Sequence, residues 1–391
     1  MSAEPDPMIA EPDPMIAAEA DEIAASAFTE IQELVDISSP SGDVAGAERA
    51  LAVCVRLLPE GAVVERAECS SPDHAPDLIG TVTGTGTRKV MLLGHVDTVI
   101  SHAAHQPLRR DGDRLYGTGT VDMKGGDVLA LGVARVLARR PETFAELAVL
   151  MVTDEEWRTH PFRHAPRFAG YDACLCFEGG QLDNDGHEGV VVRRKAAGTL
   201  RVSATGRASH SGSAPDHGLN ALLALARTAA TVAALHDPHG PEQLSVVPTI
   251  MRSGDAFNVV PAAGELIFDL RAQRLAAFDE VLASVSPELD GVLLEAGMER
   301  KWPGMDSAAL TTSLLARASR RLGRTIAGVP RGGASDASHF AETIPLTVDG
   351  LGPRGGGAHT PGEFVLEPAL RERAEVALAL AHEVLAEQAA G

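Results

Sequence analysis

The 391-residue chain is poor in cysteine, in basic side chains and in long apolar runs. Its four cysteines are too few for a disulfide framework, and Cys174-Leu175-Cys176 is not a zinc-finger spacing, so a reducing, cytoplasmic setting is expected. Fifty-four acidic residues against 34 basic ones leave a formal charge of −20. Such a surface repels phosphate backbones and anionic lipid, which argues against nucleic acid and membrane as partners. No apolar stretch approaches the ~20 residues that a membrane-spanning helix requires. No secretory leader is expected either, because the start is acidic and proline-rich rather than basic and then apolar. It carries the run EPDPMIA twice, at 4–10 and at 11–17. Two copies are too few for a stacked repeat, and residues 1–17 read as a disordered tail.

What is present is ordinary for a globular protein, with 45% hydrophobic and 23% charged residues. The length suggests about two domains, and an acidic composition leaves a metal enzyme open, since carboxylates are what hard and borderline cations need. From about residue 18 to 60 the apolar spacing is helical, broken at Ser38-Ser39-Pro40-Ser41-Gly42. Apolar runs at 90–94, 148–152 and 173–177 read as buried strands, and 124–140 as a helix between them. Continuous apolar strands separated by helices indicate an α/β sheet covered on both faces. Near residue 190 the texture changes. Strands over 190–204, 243–250 and 265–271, with helices over 218–236 and 275–288, suit an α+β sandwich of the ferredoxin-like type. After Trp302-Pro303-Gly304 the α/β texture returns, ending in a helix over about 367–389. The expected organisation is a larger α/β domain over 18–190 and 305–391, with a mostly parallel mixed sheet flanked by helices, and a smaller domain inserted at 191–304.

The chemistry-bearing residues fall at predicted strand ends. In Gly94-His95-Val96-Asp97, residues two apart on a strand face the same way, so Asp97 can hold the His95 imidazole in one tautomer; alone, the pair also fits a structural histidine. Tyr116 to Gly126 is glycine-rich, but it lacks the frame of a phosphate loop or a dinucleotide fingerprint. The alternative is tight backbone packing that aims Asp122, whose two oxygens can bridge two cations. Asp154-Glu155-Glu156 follows a wholly apolar strand, where three acids are costly unless neutralised or solvated. Glu178 ends the next strand, and a glycine-rich loop presents His359. Two histidines and three acids (His95, Asp122, Glu156, Glu178, His359) make a ligand set for two divalent ions, with mixed nitrogen and oxygen donors that suit Zn2+, Co2+ or Mn2+ being possible.

These blocks, in this order, resemble the M20 family of co-catalytic metallopeptidases, the group of glutamate carboxypeptidase, acetylornithine deacetylase and succinyl-diaminopimelate desuccinylase. The resemblance implies a catalytic domain holding two zinc ions and an inserted lid domain that commonly dimerises. It implies one ion on His95, Asp122 and Glu178 and the other on His359, Asp122 and Glu156. It assigns Asp97 to orienting His95, and Glu155 to general-base work on a zinc-bridged hydroxide. Ala208 to Gly212, with Pro215, Gly218 and Asn220, resembles the lid motif whose histidine, here His210, stabilises the oxyanion. Asn258 and Arg271 match the segment that binds the substrate carboxylate, and Gly333 with Ser335 match the glycine loop that supports it.

The function so implied is hydrolysis of an amide bond beside a free carboxylate in a small peptide or N-acyl amino acid, in the manner of a carboxypeptidase or dipeptidase. The homodimer is the expected assembly. Leu351-Gly352-Pro353 looks most like the glutamate-carboxypeptidase branch. The alternatives are an N-acyl-amino-acid deacylase serving one biosynthetic pathway, and a binding homologue that has lost the chemistry. The second predicts a missing ligand or base, and none is missing. One departure stands out: where the family has a Gly-Ser-rich turn, this chain has Trp157-Arg158-Thr159-His160-Pro161-Phe162-Arg163-His164, which is expected to reshape the substrate pocket.

Overall fold

The computed structural model describes residues 11–386 and divides into two compact units, whose boundaries fall at Arg193/Arg194 and Met305/Asp306. The first unit begins with α1 (Pro14–Val35), α2 (Val44–Leu57), β1 (Val63–Ala67), β2 (Asp77–Thr83), β3 (Lys89–His95), β4 (Arg109–Asp111) and β5 (Arg114–Tyr116). It continues through α3 (Gly125–Leu137), β6 (Glu146–Val152), β7 (Ala173–Cys176), β8 (Gln181–Leu182) and β9 (Glu188–Arg194). The second unit holds β10 (Ala196–Thr205), α4 (Ala221–Ala233), β11 (Ser245–Ser253), β12 (Ala263–Ala272), α5 (Ala277–Ala283), β13 (Glu288–Leu289) and β14 (Val292–Trp302). The chain returns through β15 (Met305–Asp306) to α6 (Ala308–Leu322), β16 (Ile326–Arg331), α7 (Ala337–Phe340), β17 (Leu346–Val348), β18 (Gly355–Gly356), β19 (Phe364–Leu366) and α8 (Glu367–Ala386).

The main sheet of the first unit runs β1-β2-β6-β3-β7-β17. Its members β6, β3, β7 and β17 are mutually parallel, and β1 and β2 add an antiparallel edge. The central strands are buried along nearly their whole length, as their unbroken apolar sequences require. Helices α1, α3 and α8 pack into the same core, with α3 and α8 buried almost all round. A smaller sheet, β18-β19-β5-β4, brings the early strands β4 and β5 beside the late strands β18 and β19.

Residues 14–17 are not a tail. Pro14 opens α1 at its first turn, the Asp13 carboxylate accepts the Met15 N–H as N-cap, and Ile16 is fully buried. Proline at the first helical position after a capping aspartate is a helix start, and Ile16, Ala20, Ile23, Ala27, Ile31 and Leu34 form the buried stripe. The second EPDPMIA copy therefore supplies cap and core; the first lies outside the described residues. Ile16→Ala is expected to destabilise the protein by about 2 kcal/mol or more in urea unfolding. A negligible change is what a tail would give.

The second unit is a five-stranded antiparallel sheet, β11-β12-β10-β14-β13, with α4 and α5 packed on one face. Leu200, Val202, Leu266, Phe268 and Leu270 point into that core with Leu225, Val232, Phe278 and Val281. The order is that of a ferredoxin-like fold. Two expectations are corrected here. The helix expected over 275–288 ends at Ala283, ahead of Pro287, and the later strand β14 was not legible because most of it is exposed, with little alternation. Gly332–Ala334 group with the second unit rather than the first, where the Gly333 carbonyl accepts from Arg194 Nη1 at 2.7 Å.

Candidate metal centre

Strands β6, β3 and β7 are neighbours and parallel, so their C-terminal ends open on one side of the sheet. That is where ligands collect in open α/β sheets. His95 ends β3, Glu155 and Glu156 follow β6, and Glu178 follows β7. Asp122 comes from the irregular turn between β5 and α3. The start of α3, just after that turn, can press against the sheet because Gly126 has no side chain: a Cβ there would clash with the Phe177 carbonyl oxygen. His359 stands on the loop between β18 and β19, with φ +65°.

The five predicted ligands converge in two groups that share Asp122. His95, Asp122 and Glu178 offer donor atoms within 4.8 Å of one another, and so do Asp122, Glu156 and His359. Asp122 divides its oxygens between them. Its Oδ1 lies 3.2 Å from His95 Nε2, and its Oδ2 lies 3.0 Å from His359 Nε2. Glu178 Oε1 is 3.7 Å from His95 Nε2, and Glu156 Oε2 is 3.3 Å from His359 Nε2. Two imidazoles and three carboxylates around a shared aspartate fit a pair of divalent cations with mixed nitrogen and oxygen ligation.

Electrostatics mark the same place. Burial works against protonation of His95, yet Asp122 and Asp97 outweigh it and raise its pKa well above the usual value. Asp122 is held down, burial being overcome by His359 and His95. His359 is pushed up to about 10 by Asp122 and Glu156. Glu155 is raised strongly by burial, with His95 opposing and Asp336, Glu178 and Glu156 adding to the rise. Glu156 is raised by burial against its bond to His359. Acids this crowded are what bound dications neutralise.

Asp97 does more than its spacing suggested. His95 Nδ1 lies 3.1 Å from the Asp97 carbonyl oxygen and 3.4 Å from its carboxylate. The carboxylate also accepts the backbone N–H groups of Glu155 at 3.2 Å and Glu156 at 3.1 Å. One side chain thus touches the imidazole and pins the turn that carries the two glutamates.

The remaining sequence-predicted residues fall as follows. His210 is exposed in the second unit, and its Nδ1 accepts the N–H groups of Gly212 and Ser213, both at 3.1 Å. With Nδ1 accepting, the neutral ring carries its proton on Nε2. Asn258 is exposed and its carbonyl accepts the Ser211 N–H. Arg271, on β12, is paired with Asp269 two residues earlier through Nε and Nη2, at 3.1 and 3.0 Å. Ser335, in the first unit, is fully buried, and its hydroxyl donates to Asp349 at 2.7 Å. Its side chain anchors the loop.

Reading the sequence for chemistry missed two features. Glu363 is buried and accepts three backbone N–H groups of the Asp122 turn; its place four residues after His359 was the only signal. The unusual 157–164 segment is anchored inward. Arg158 is buried between Asp154 and Asp336 and donates to both. His164 Nε2 meets Asp77 at 2.7 Å, and Phe162 stacks on His339 at 4.8 Å between ring centres. Trp157 remains exposed.

A model of the peptidase family M20/M25/M40 matches residues 91–383, and the chain belongs to that family of hydrolases. Carboxypeptidase G2 from Pseudomonas sp. (strain RS-16) is 27% identical over 373 residues, covering 90% of this chain and 87% of that protein. The succinyl-diaminopimelate desuccinylase of Halorhodospira halophila is 28% identical over 303 residues, covering 72% and 79%. In fold, an M20 family metallo-carboxypeptidase from Sulfolobus solfataricus superposes with a TM-score of 0.72 at 15% identity, covering 92% of this chain and 99% of that one.

Proposed function

We propose that this enzyme is a di-zinc hydrolase that cleaves an amide bond beside a free carboxylate, as a carboxypeptidase or dipeptidase of the glutamate-carboxypeptidase type. The observation that carries the reading is the division of the two Asp122 oxygens between two ligand groups, with Glu155 beside them and in neither. His95, Asp122 and Glu178 would hold one ion, and His359, Asp122 and Glu156 the other. When bound, two such ions lower the pKa of a water toward neutrality and polarise a carbonyl. Glu155 takes the proton of the attacking water and returns it to the leaving amine, the double role of a positioned carboxyl. Asp97 keeps His95 and the Glu155-Glu156 turn in place. His210, with its proton on Nε2, donates to the oxyanion, a contact of a kind worth roughly 2.7–4 kcal/mol in other enzymes.

Arg271 binds the substrate carboxylate through its planar fork, helped by Asn258 and by the glycine loop at Gly333. This requires Arg271 to exchange Asp269 for the substrate. The second unit serves as the homodimer contact; supporting this, edge strand β11 exposes Val247, Ile250 and Met251. Four free, buried cysteines support a reducing, cytoplasmic setting, and no helix among the described residues is long and apolar enough to cross a membrane.

The test is amine release from paired dipeptide and N-acyl amino acid substrates, each with a free or an amidated carboxylate. Turnover confined to free carboxylates is expected, with dipeptides or C-terminal glutamyl amides ahead. N-acyl diamino acids ahead of them would favour the deacylase reading, which the desuccinylase relative supports. Arg271→Ala is expected to raise KM about 10-fold or more for the free-carboxylate substrate. An equal loss on the amidated analogue would remove that assignment.

A further inference from the structure

We infer that Glu363 is a positioning residue for the metal centre, one that fixes Asp122 and its separation from His359. The inference rests on the two-ion reading of the site. Strands β5 and β19 pair antiparallel, with Tyr116 opposite Phe364. The chain leaving β5 toward Asp122 therefore runs beside the chain that comes from His359 into β19. The ladder continues one step past the strands, where the Gly117 N–H donates to the Glu363 carbonyl at 3.1 Å.

The Glu363 side chain then closes the arrangement. Its Oε2 accepts the Gly119 N–H at 2.9 Å, and its Oε1 accepts the N–H groups of Val121 at 2.9 Å and Asp122 at 3.0 Å. Gly119 reaches this geometry at φ +80°, a conformation that costs glycine little. Glu363 is 3% exposed, so its side chain is shielded from bulk water. On its own loop Glu363 is tied to His359 by short turns, Thr360 N–H to the Gly357 carbonyl at 3.0 Å and Glu363 N–H to the Thr360 carbonyl at 3.2 Å. One side chain thus joins the segment presenting the shared ligand to the segment presenting His359.

Every group facing the Glu363 side chain in these bonds is an N–H donor. A carboxylate accepts at both oxygens; the isosteric amide accepts at one and turns an NH2 against a donor at the other. Glu363→Gln therefore disturbs the Asp122 turn without changing volume. Supports of metal ligands of this kind are worth 10–100-fold in metal affinity.

The experiment titrates zinc into metal-free full-length wild type, Glu363→Gln and Glu363→Asp, with a fluorescent chelator as competitor, and records circular dichroism and thermal melting in parallel. Wild type is expected to bind two ions. Folded Glu363→Gln is expected to bind them about 10–100-fold more weakly, with kcat depressed at limiting zinc, recovered in excess zinc, and KM unchanged once saturated. Glu363→Asp, which keeps two acceptor oxygens at shorter reach, is expected to fall between, and it decides the matter if the glutamine variant does not fold. Wild-type zinc affinity in whichever variant folds overturns the inference, even if its melting temperature is lower, since that is a structural role only. A wild type that does not bind two ions defeats the reading of the site itself, a separate outcome.

Discussion

Glu155→Gln is expected to lower kcat by about 10²–10⁴-fold, the range for loss of a positioned general base, while two zinc ions per chain remain bound. Glu155 belongs to neither ligand group, so its replacement by an isosteric amide leaves all five ligands in place. Its backbone N–H still donates to Asp97, so the turn carrying Glu156 keeps its anchor. What the variant lacks is a group able to take a proton from water and hand it on. KM is expected to change far less than kcat, because the contacts proposed for the substrate carboxylate, Arg271 and Asn258, are left as they are. A variant that keeps half the wild-type kcat with full metal content would remove Glu155 from the role.

Arg158→Ala carries the largest expected effect on stability, about 3–5 kcal/mol. Arg158 is buried with its guanidinium divided between Asp154 and Asp336. Removing it strands two acids in the interior. For Asp154, burial raises the carboxyl pKa but Arg158 outweighs it, leaving it below 3.8. A group whose folded pKa is depressed contributes stability that is full above its unfolded pKa and is lost as pH falls through the folded one. In the variant burial is opposed only by the Ser71 and Cys69 contacts, so protonation of Asp154 relieves the folded state. The gap between wild type and Arg158→Ala in zinc-saturated urea unfolding is therefore expected to be widest near neutrality and to shrink toward about pH 4. A gap under 1 kcal/mol, or one that does not vary with pH, contradicts this account.

The segment around Arg158 also shows where sequence reading fell short. Its basic and aromatic side chains suggested a reshaped pocket, yet Arg158, Phe162 and His164 face inward, and their partners Asp336, His339 and Asp77 lie far off in sequence. No local pattern announces such pairings. The convergence of the five candidate ligands was legible for the opposite reason: each follows an apolar strand or a glycine run, and parallel strands bring their ends together whatever the intervening length. The strands at 89–95, 146–152 and 173–176 were legible because burial on both faces leaves unbroken apolar runs. Strand β14 was not, since its exposed residues show little alternation. The start of α1 was hidden by a duplicated, proline-rich run that reads as low complexity until the Asp13 cap and Ile16 are seen in place. Glu363 escaped because its partners are backbone N–H groups some 240 residues away, which no side-chain motif records.

The most direct measurement is the zinc content of the purified, folded chain after saturation and removal of excess metal, compared with that of Asp122→Asn and His359→Ala. The account predicts two ions per wild-type chain, one in His359→Ala, and weakened retention of both in Asp122→Asn, because the two groups share that carboxylate. A wild type that retains one ion or none, or an Asp122→Asn variant that still holds two as tightly, would contradict it.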